Sequence, residues 1–545
     1  MLYTRSTPHM SSTSATTQDQ PSEANAPLFS GLGEWVESHI AICLCSLLAT
    51  YICAELGYSL RIPLRHDEIF TWYIAQAPSA GSLLHLTRTV DLNPPLSYLL
   101  TRLTFQVLGV GTLQTRLPEM LGFGLALVCA FIFVRRRAGD AFGLLAAVIL
   151  LSGKASEPAI YGRPYGLMLG FAGLALVAWQ SSTLAQDRGA STPGKDLLLG
   201  LSLAALLLTH VFGMFTWAAI SVAEVIHAVQ SRRVVRSRIL SLALPLTAAV
   251  FYVPIFRLHT AGLFPSAFQA HYSQVFVYYA SRTSRELISI VCTISILFMV
   301  AGRQWLRPSA RFAFTRSEWV AVTIVLLSPI ILICRLAYEH AAIFYRYGDF
   351  AAIGFAILIT GLLCKLTGNR STPAVIATIA FLLVSSRLQY AVIFAAQGHI
   401  FRHSEPAVTS LHSRILDASN LPLVINSGLI FAEMNKYEPA LLLDRTYYLT
   451  GGPIAVQYAH ANLFEGVPTE IVEFHFRGHS EPYTAFVQEH PLFFLLAGDH
   501  DFPEEWLLRK LQADGAQIQA LEHIEHSYSY GEYNLYKVSM PGAGN

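Results

Sequence analysis

Charge is scarce in this sequence. Of 545 residues only 13% are Asp, Glu, Lys or Arg, while 53% are hydrophobic, which leaves too little polar surface for a water-soluble enzyme of this length. Excess of either sign is also missing: 37 Lys and Arg against 36 Asp and Glu give a net charge of +1. No global field therefore draws the chain to nucleic acid, and positive charge acts only where it clusters. Cysteine offers no framework. The seven, Cys43, Cys45, Cys53, Cys129, Cys292, Cys334 and Cys364, lie in or beside apolar runs without metal-ligand or disulfide spacing and read as small packing residues. An HExxH motif and a Ser-His-Asp or Cys-His grouping are lacking, which removes the usual zinc-protease and nucleophile readings. No internal repeat is visible, which speaks against a transporter built from two related halves.

Long apolar runs, by contrast, are abundant. A helix needs roughly 20 mostly apolar residues to cross a bilayer, and about eleven such runs can be drawn between residues 39 and 393. Ahead of them, residues 1–35 are rich in Ser, Thr, Pro and Gln without an apolar period and predict a disordered cytoplasmic tail. No tripartite signal pattern precedes the first run, so it is expected to stay as an anchor. Residues 36–397 are expected to form the membrane domain, and 398–545 a small α/β domain outside the membrane with strands near Leu421–Asn426, Leu492–Leu496 and Tyr533–Val538 and a helix at Glu504–Leu511. That domain lacks a Gly-rich phosphate loop, and its cluster Asp499, His500, Asp501 reads as a solvated turn. The stretch 196–229 is too long for one span. Lys195 before it and Arg232, Arg233, Arg236 and Arg238 after it put both ends on the cytoplasmic side, so two short helices with a turn near His210 to Gly213 are predicted. The other arginine clusters, at 135–137 and 303–316, fall on the same face in this topology.

The opposite face collects the chemistry. Past the first run the chain reads LRHDEIFTWYIAQ, with Asp67 and Glu68 ahead of Phe70, Trp72 and Tyr73, aromatics that suit an interfacial helix. Two acids there also suit a plain helix cap, and alone they do not separate that role from catalysis. In VDLNPPLSYLL, Asn93 precedes a proline pair that starts a helix, whose free N–H groups can receive an anion. KASEPAIYGRPYG presses Lys154, Glu157, Arg163 and Tyr165 between two apolar runs, where polar groups are costly. His210 closes another run and has the role of a satisfied core histidine as its plain alternative. YEHAAIFYRYGDF adds Glu339, His340, Arg346, Tyr347 and Asp349, and the 258–286 segment adds His259, His271, Tyr272, Tyr278, Tyr279, Arg282 and Arg285. A carboxylate, several guanidiniums and many tyrosines match sugar transfer from a phosphate carrier. The carboxylate takes an acceptor proton, arginine forks hold phosphate, and aromatic rings face sugar.

Together these motifs resemble the GT-C superfamily of polytopic glycosyltransferases, in the branch of protein O-mannosyltransferases and the aminoarabinose and related bacterial lipid-sugar transferases. The likeness rests on Asp67-Glu68 after the first span, NPPL at 93–96 where relatives often show HPPL, RPY at 163–165, TH at 209–210 and RY at 346–347, and it covers roughly residues 40 to 365. It implies an α-helical polytopic membrane protein of about 11 transmembrane helices with a small extramembranous α/β domain. The implied reaction is an inverting transfer from a polyprenyl-phosphate sugar to a lipid, glycan or protein acceptor, at the periplasmic face of a bacterial inner membrane. Asp67 would be the catalytic base and Glu68 would help position acceptor or metal. Lys154, Arg163, Tyr165, His210, Arg346 and Tyr347 would bind donor phosphate or sugar. Asn93 stands where relatives carry histidine, so a metal or phosphate role there is open, and a divalent metal is the one cofactor left in play. A flippase of lipid-linked sugars and a non-catalytic assembly subunit are the alternatives, which a repeat or mid-membrane charges would favour.

The topology is testable on its own. In an otherwise cysteine-free chain, Lys154→Cys and Val235→Cys should label from opposite sides of the membrane. Labelling from one side would break the convergence.

Overall fold

The computed structural model describes residues 30–64, 67–91, 93–157, 161–248, 251–252, 270–301, 314–341, 343–367, 375, 378–380, 382, 420–459, 465, 469–471, 476–498, 506–524 and 533–542. The helices of the first part are α1 Ser30–Ser38, α2 Ile40–Arg61, α3 Glu68–Ala75, α4 Ala80–Thr89, α5 Leu96–Leu108, α6 Thr112–Ala138 and α7 Asp140–Ser152. They continue with α8 Tyr165–Asp187, α9 Pro193–Thr209, α10 Gly213–Ser231, α11 Arg236–Ala243, α12 Gln274–Ala301, α13 Arg316–Tyr338 and α14 Ala351–Thr367. Among the described residues, α2, α6, α8 and α13 are long and apolar enough to cross a membrane, and α7 and α14 are shorter apolar helices. The expected count of about eleven spans is therefore not confirmed. Its last run, 373–393, falls almost wholly outside the described residues, as do His259 and the Asp499 to Asp501 cluster.

Two local expectations meet a definite outcome. The tail drawn as 1–35 lies outside the described residues up to 29, but its end enters α1, where Trp35 stacks on His39 at 4.7 Å and Val36 is buried against the membrane-domain core. The long stretch 196–229 is broken as its length required. α9 stops at Thr209 and α10 restarts at Gly213, whose missing side chain lets the backbone close on Leu206. The arginines after α10 are not all surface charges: Arg238 is fully buried, 2.9 Å from Glu224 and 3.3 Å from Asp196.

The frame of the membrane domain is the crossing of α6 and α8. Gly122 of α6 meets Gly166 and Gly170 of α8, and a Cβ on Gly166 or Gly170 would strike the backbone of Glu119 or Gly122. Small residues four apart let two helix backbones touch where no hydrophobic force between helices exists. Glu119 reinforces the crossing. Its carboxylate accepts from the backbone N–H of Leu167 at 2.9 Å, satisfying a free donor at the start of α8 from the neighbouring helix. The N-terminal ends of α6 and α8 are thereby locked together.

The C-terminal part carries helices α15 Gly428–Tyr437, α16 Ala440–Leu443, α17 Pro453–Ala459, α18 Tyr483–Glu489 and α19 Trp506–Ala513. Its strands are β1 Leu423–Ile425, β2 Thr446–Thr450, β3 His479–Pro482, β4 Leu492–Gly498, β5 Gln517–Ile524 and β6 Tyr533–Ser539. They make one six-stranded sheet in the order β3-β2-β1-β4-β6-β5, with β3, β2, β1 and β4 parallel and β6 and β5 antiparallel. The continuous apolar run of β4 fits its central place between parallel β1 and antiparallel β6, covered on both faces. β6 likewise touches both layers, with Tyr533 and Leu535 in one core cluster and Val538 in the other.

Gly166→Leu should force α6 and α8 apart and cost about 1–3 kcal/mol or more, read as a lower thermal midpoint in detergent. Gly194→Leu, where a Cβ meets open space, should leave the midpoint unchanged.

Candidate active site

The two neighbouring acids part company at the start of α3. Asp67 occupies the N-cap position, yet its side chain makes no capping hydrogen bond. Its carboxylate instead accepts from Nη2 of Arg346 at 2.7 Å and lies 3.4 Å from Nε of Arg163. Glu68 turns the other way, into the protein. It is 1% exposed and forms a fork with Arg116, at 2.7 and 2.9 Å, while one of its oxygens also accepts from the N–H of Gly162 at 2.9 Å. Arg116 spends its remaining donors on the carbonyls of Ile62 and Pro63, at 2.9 and 3.1 Å. α2, α3, α6 and the loop before α8 thus meet on one buried ion pair.

Arg163 is anchored by a residue the sequence reading passed over. Asp91 takes both Nη atoms of Arg163 and the hydroxyl of Tyr98, and Arg163 Nη1 also donates to the Asp67 carbonyl at 3.3 Å. Such bidentate pairs fix direction as well as charge. Asn93 serves this anchor indirectly, donating to the Asp91 carbonyl at 3.2 Å.

Arg346 is the more open guanidinium. It stands on the short 3-10 turn Tyr345–Gly348 with its side chain 33% exposed, 5.0 Å from the Phe344 ring and 6.0 Å from that of Tyr165. Burial works against its charge, but the Asp67 carboxylate together with Tyr165 and Tyr347 outweighs this and holds it above the ordinary arginine value. Its Nε has no hydrogen-bond partner. Around it the rings of Tyr165 and His210 lie 5.3 Å apart, and those of Phe212 and Tyr347 5.2 Å apart. His210, in the break between α9 and α10, accepts from the Phe212 N–H through Nδ1 at 3.2 Å, which leaves its proton on Nε2. Burial first, then Arg163 and Arg346, push its pKa down to about 3, so it is a neutral ring.

Six of the nine residues singled out in the sequence, Asp67, Arg163, Tyr165, His210, Arg346 and Tyr347, therefore share one cluster, with Glu68 and Asn93 supporting it from behind. Lys154 does not join them. It lines a neighbouring pocket between α7, α12, α13 and α14, with Arg282, Glu286 and Asp349, where Arg282 and Asp349 are 3.4 Å apart. His271, Tyr272, Glu339 and His340 are exposed, away from it. Asp91, Arg116 and Glu119 were missed. The available signal was a pair of charges, Arg116 and Glu119, three residues apart at the head of an apolar helix, where charge is costly.

No family model matches the chain, and no curated protein matches it. Among solved structures it is similar to ArnT from Cupriavidus metallidurans bound to undecaprenyl phosphate, at 12% identity over 93% of this chain and 99% of that one, with a TM-score of 0.42. It is similar to the archaeal oligosaccharyltransferase AglB from Archaeoglobus fulgidus in complex with an inhibitory peptide and a dolichol-phosphate, at 10% identity over 85% and 70%, TM-score 0.39. A third is the S. cerevisiae protein O-mannosyltransferase Pmt1-Pmt2 complex bound to the sugar donor, at 14% identity over 45% and 36%, TM-score 0.33. At these scores the likeness carries no weight for mechanism, which has to rest on the side chains themselves.

The site's carboxylates do not fit a divalent cation. Among the described residues no three His, Cys, Asp or Glu side chains converge as ligands, and Asp67, Glu68 and Asp91 are each turned to a guanidinium. Metal ligation would have to break those pairs first.

Glu68→Gln should strand the charge of Arg116 in the interior and cost about 3–5 kcal/mol. The measurement is the yield and thermal midpoint of the purified protein. A variant as stable as the parent would show that the pair is dispensable.

Proposed function

We propose that this chain is a membrane glycosyltransferase that moves a sugar from a polyprenyl-phosphate donor to a hydroxyl of a lipid, glycan or protein acceptor, with inversion, at the outer face of a bacterial inner membrane. The observation that carries the reading is the disposition of Asp67: a carboxylate in a capping position that gives up the cap and faces two arginines on an accessible surface. A helix cap alone explains none of this.

In this reading Asp67 is the base, Glu68 and Arg116 hold the turn that presents it, and Asp91 fixes Arg163. Arg346 is the group that meets the donor phosphate, because its side chain is 33% exposed against 8% for Arg163, whose Nη atoms are held by Asp91. Phosphate arriving at Arg346 competes with Asp67 for the same donors, so donor binding releases the carboxylate for its task. The acceptor O–H then gives its proton to Asp67 as its oxygen bonds to the anomeric carbon. The bond from that carbon to the phosphate oxygen breaks, and its electron pair leaves on polyprenyl phosphate, whose charge Arg346 stabilises. Tyr165, Tyr347 and neutral His210 wall the sugar with aromatic faces.

Asp67→Asn should leave the protein in the membrane and lower transfer from a polyprenyl-phosphate sugar by about 10²–10⁴-fold. The sugar to supply can be identified by mass spectrometry of glycolipids and glycoproteins lost from a deletion strain. Transfer at the parent rate would sink the assignment of the base.

A further inference from the structure

We infer that the C-terminal domain is a working part of the active site: its helix α15 positions the Asp67 turn, and Tyr437 is the residue through which it does so. This rests on the reading of Asp67 as the base.

The segment leading into α3 is gripped from two sides. From the membrane domain, Arg116 takes the carbonyls of Ile62 and Pro63. From the C-terminal domain, Tyr437 donates its hydroxyl to the very next carbonyl, that of Leu64, at 2.9 Å. Three successive carbonyls just ahead of Asp67 are thus held, the last by a residue 373 positions away. α3 is fixed to the same helix farther along. Tyr73 donates to the carbonyl of Ala432 at 3.1 Å, and Lys436 Nζ sits 3.6 Å above the Trp72 ring. Leu429, Ala432 and Ile471 close one apolar cluster with Leu64, Ile69, Phe70, Tyr73 and Ile74.

A lid would need only surface against surface. This docking instead satisfies backbone acceptors beside the reacting carboxylate, in a helix of just two turns that has little stability of its own. Misplacement of a catalytic group by about 1 Å costs on the order of 10²-fold in rate, so a brace at this point bears on turnover and not on the affinity for either substrate.

The test is Tyr437→Phe in the full-length protein. It removes one hydroxyl from a residue whose ring is 42% exposed, which keeps the apolar cluster intact. Amide hydrogen exchange in α3 should speed up about tenfold while exchange in β1 and β4 stays as in the parent, and kcat should fall about tenfold with KM unchanged. Tyr73→Phe should move the same two readings in the same direction. Parent-like exchange in α3 would overturn the proposal, and so would faster exchange with an unchanged kcat. Failure of the reading of Asp67 as the base is told apart by Asp67→Asn keeping full transfer, since the exchange measurement does not depend on any reaction.

Discussion

The structure around the site depends on one buried ion pair. Arg116 and Glu68 are almost wholly removed from water, and two charges taken that far inside persist only if every donor and acceptor is used. Here nearly all are: the carboxylate takes three N–H groups, and four of the five guanidinium N–H groups donate, two to the carboxylate and two to backbone carbonyls. Because the partners come from α3, α6, the end of α2 and the loop before α8, satisfying the charge forces those four pieces into one arrangement. The requirement is electrostatic, but its product is geometric.

That arrangement explains why adjacent acids end in unlike surroundings. Once Glu68 is drawn inward, the backbone of a helix start directs the preceding side chain elsewhere, and Asp67 reaches the surface where Arg163 and Arg346 come together. Arg163 is spent on Asp91, so it is a fixed wall. Arg346, raised on a 3-10 turn and partly open, is the exchangeable one. One immobile and one available guanidinium beside a carboxylate is the asymmetry that a transfer from a phosphate carrier calls for, where one charge must be held still and another must change partners.

Part of this was legible in the sequence. Arginine clusters placed Asp67, Arg163, His210 and Arg346 on one face, and the overlong run 196–229 foretold a break that falls between Thr209 and Gly213. Apolar strand runs marked β1 and β4, and alternation marked β6. What failed to show was pairing. A face is not a position: Lys154 shares the expected side of the membrane yet lines another cavity with Arg282 and Asp349. Asp91 sits two residues from Asn93, which drew attention through its motif, but only the approach of Arg163 from 72 residues away makes Asp91 the anchor. Glu68 was indistinguishable from Asp67 by local chemistry, because the difference is made by Arg116, 48 positions later.

The same logic reaches the C-terminal domain. Its sheet has a core of its own on each face, so the strand order alone does not call for hydrogen bonds to α3. Contact is nevertheless made through a hydroxyl aimed at the Leu64 carbonyl and another from α3 aimed at the Ala432 carbonyl. Hydrogen bonds between neutral groups contribute only about 1 kcal/mol each, too little to serve as the main adhesive between domains, which the shared apolar cluster supplies. Their effect is directional. Apolar packing tolerates a slide of a fraction of an ångström, and a hydroxyl aimed at a carbonyl does not. Bonds of that kind placed next to Asp67 set its coordinates to a tolerance that packing alone would leave open.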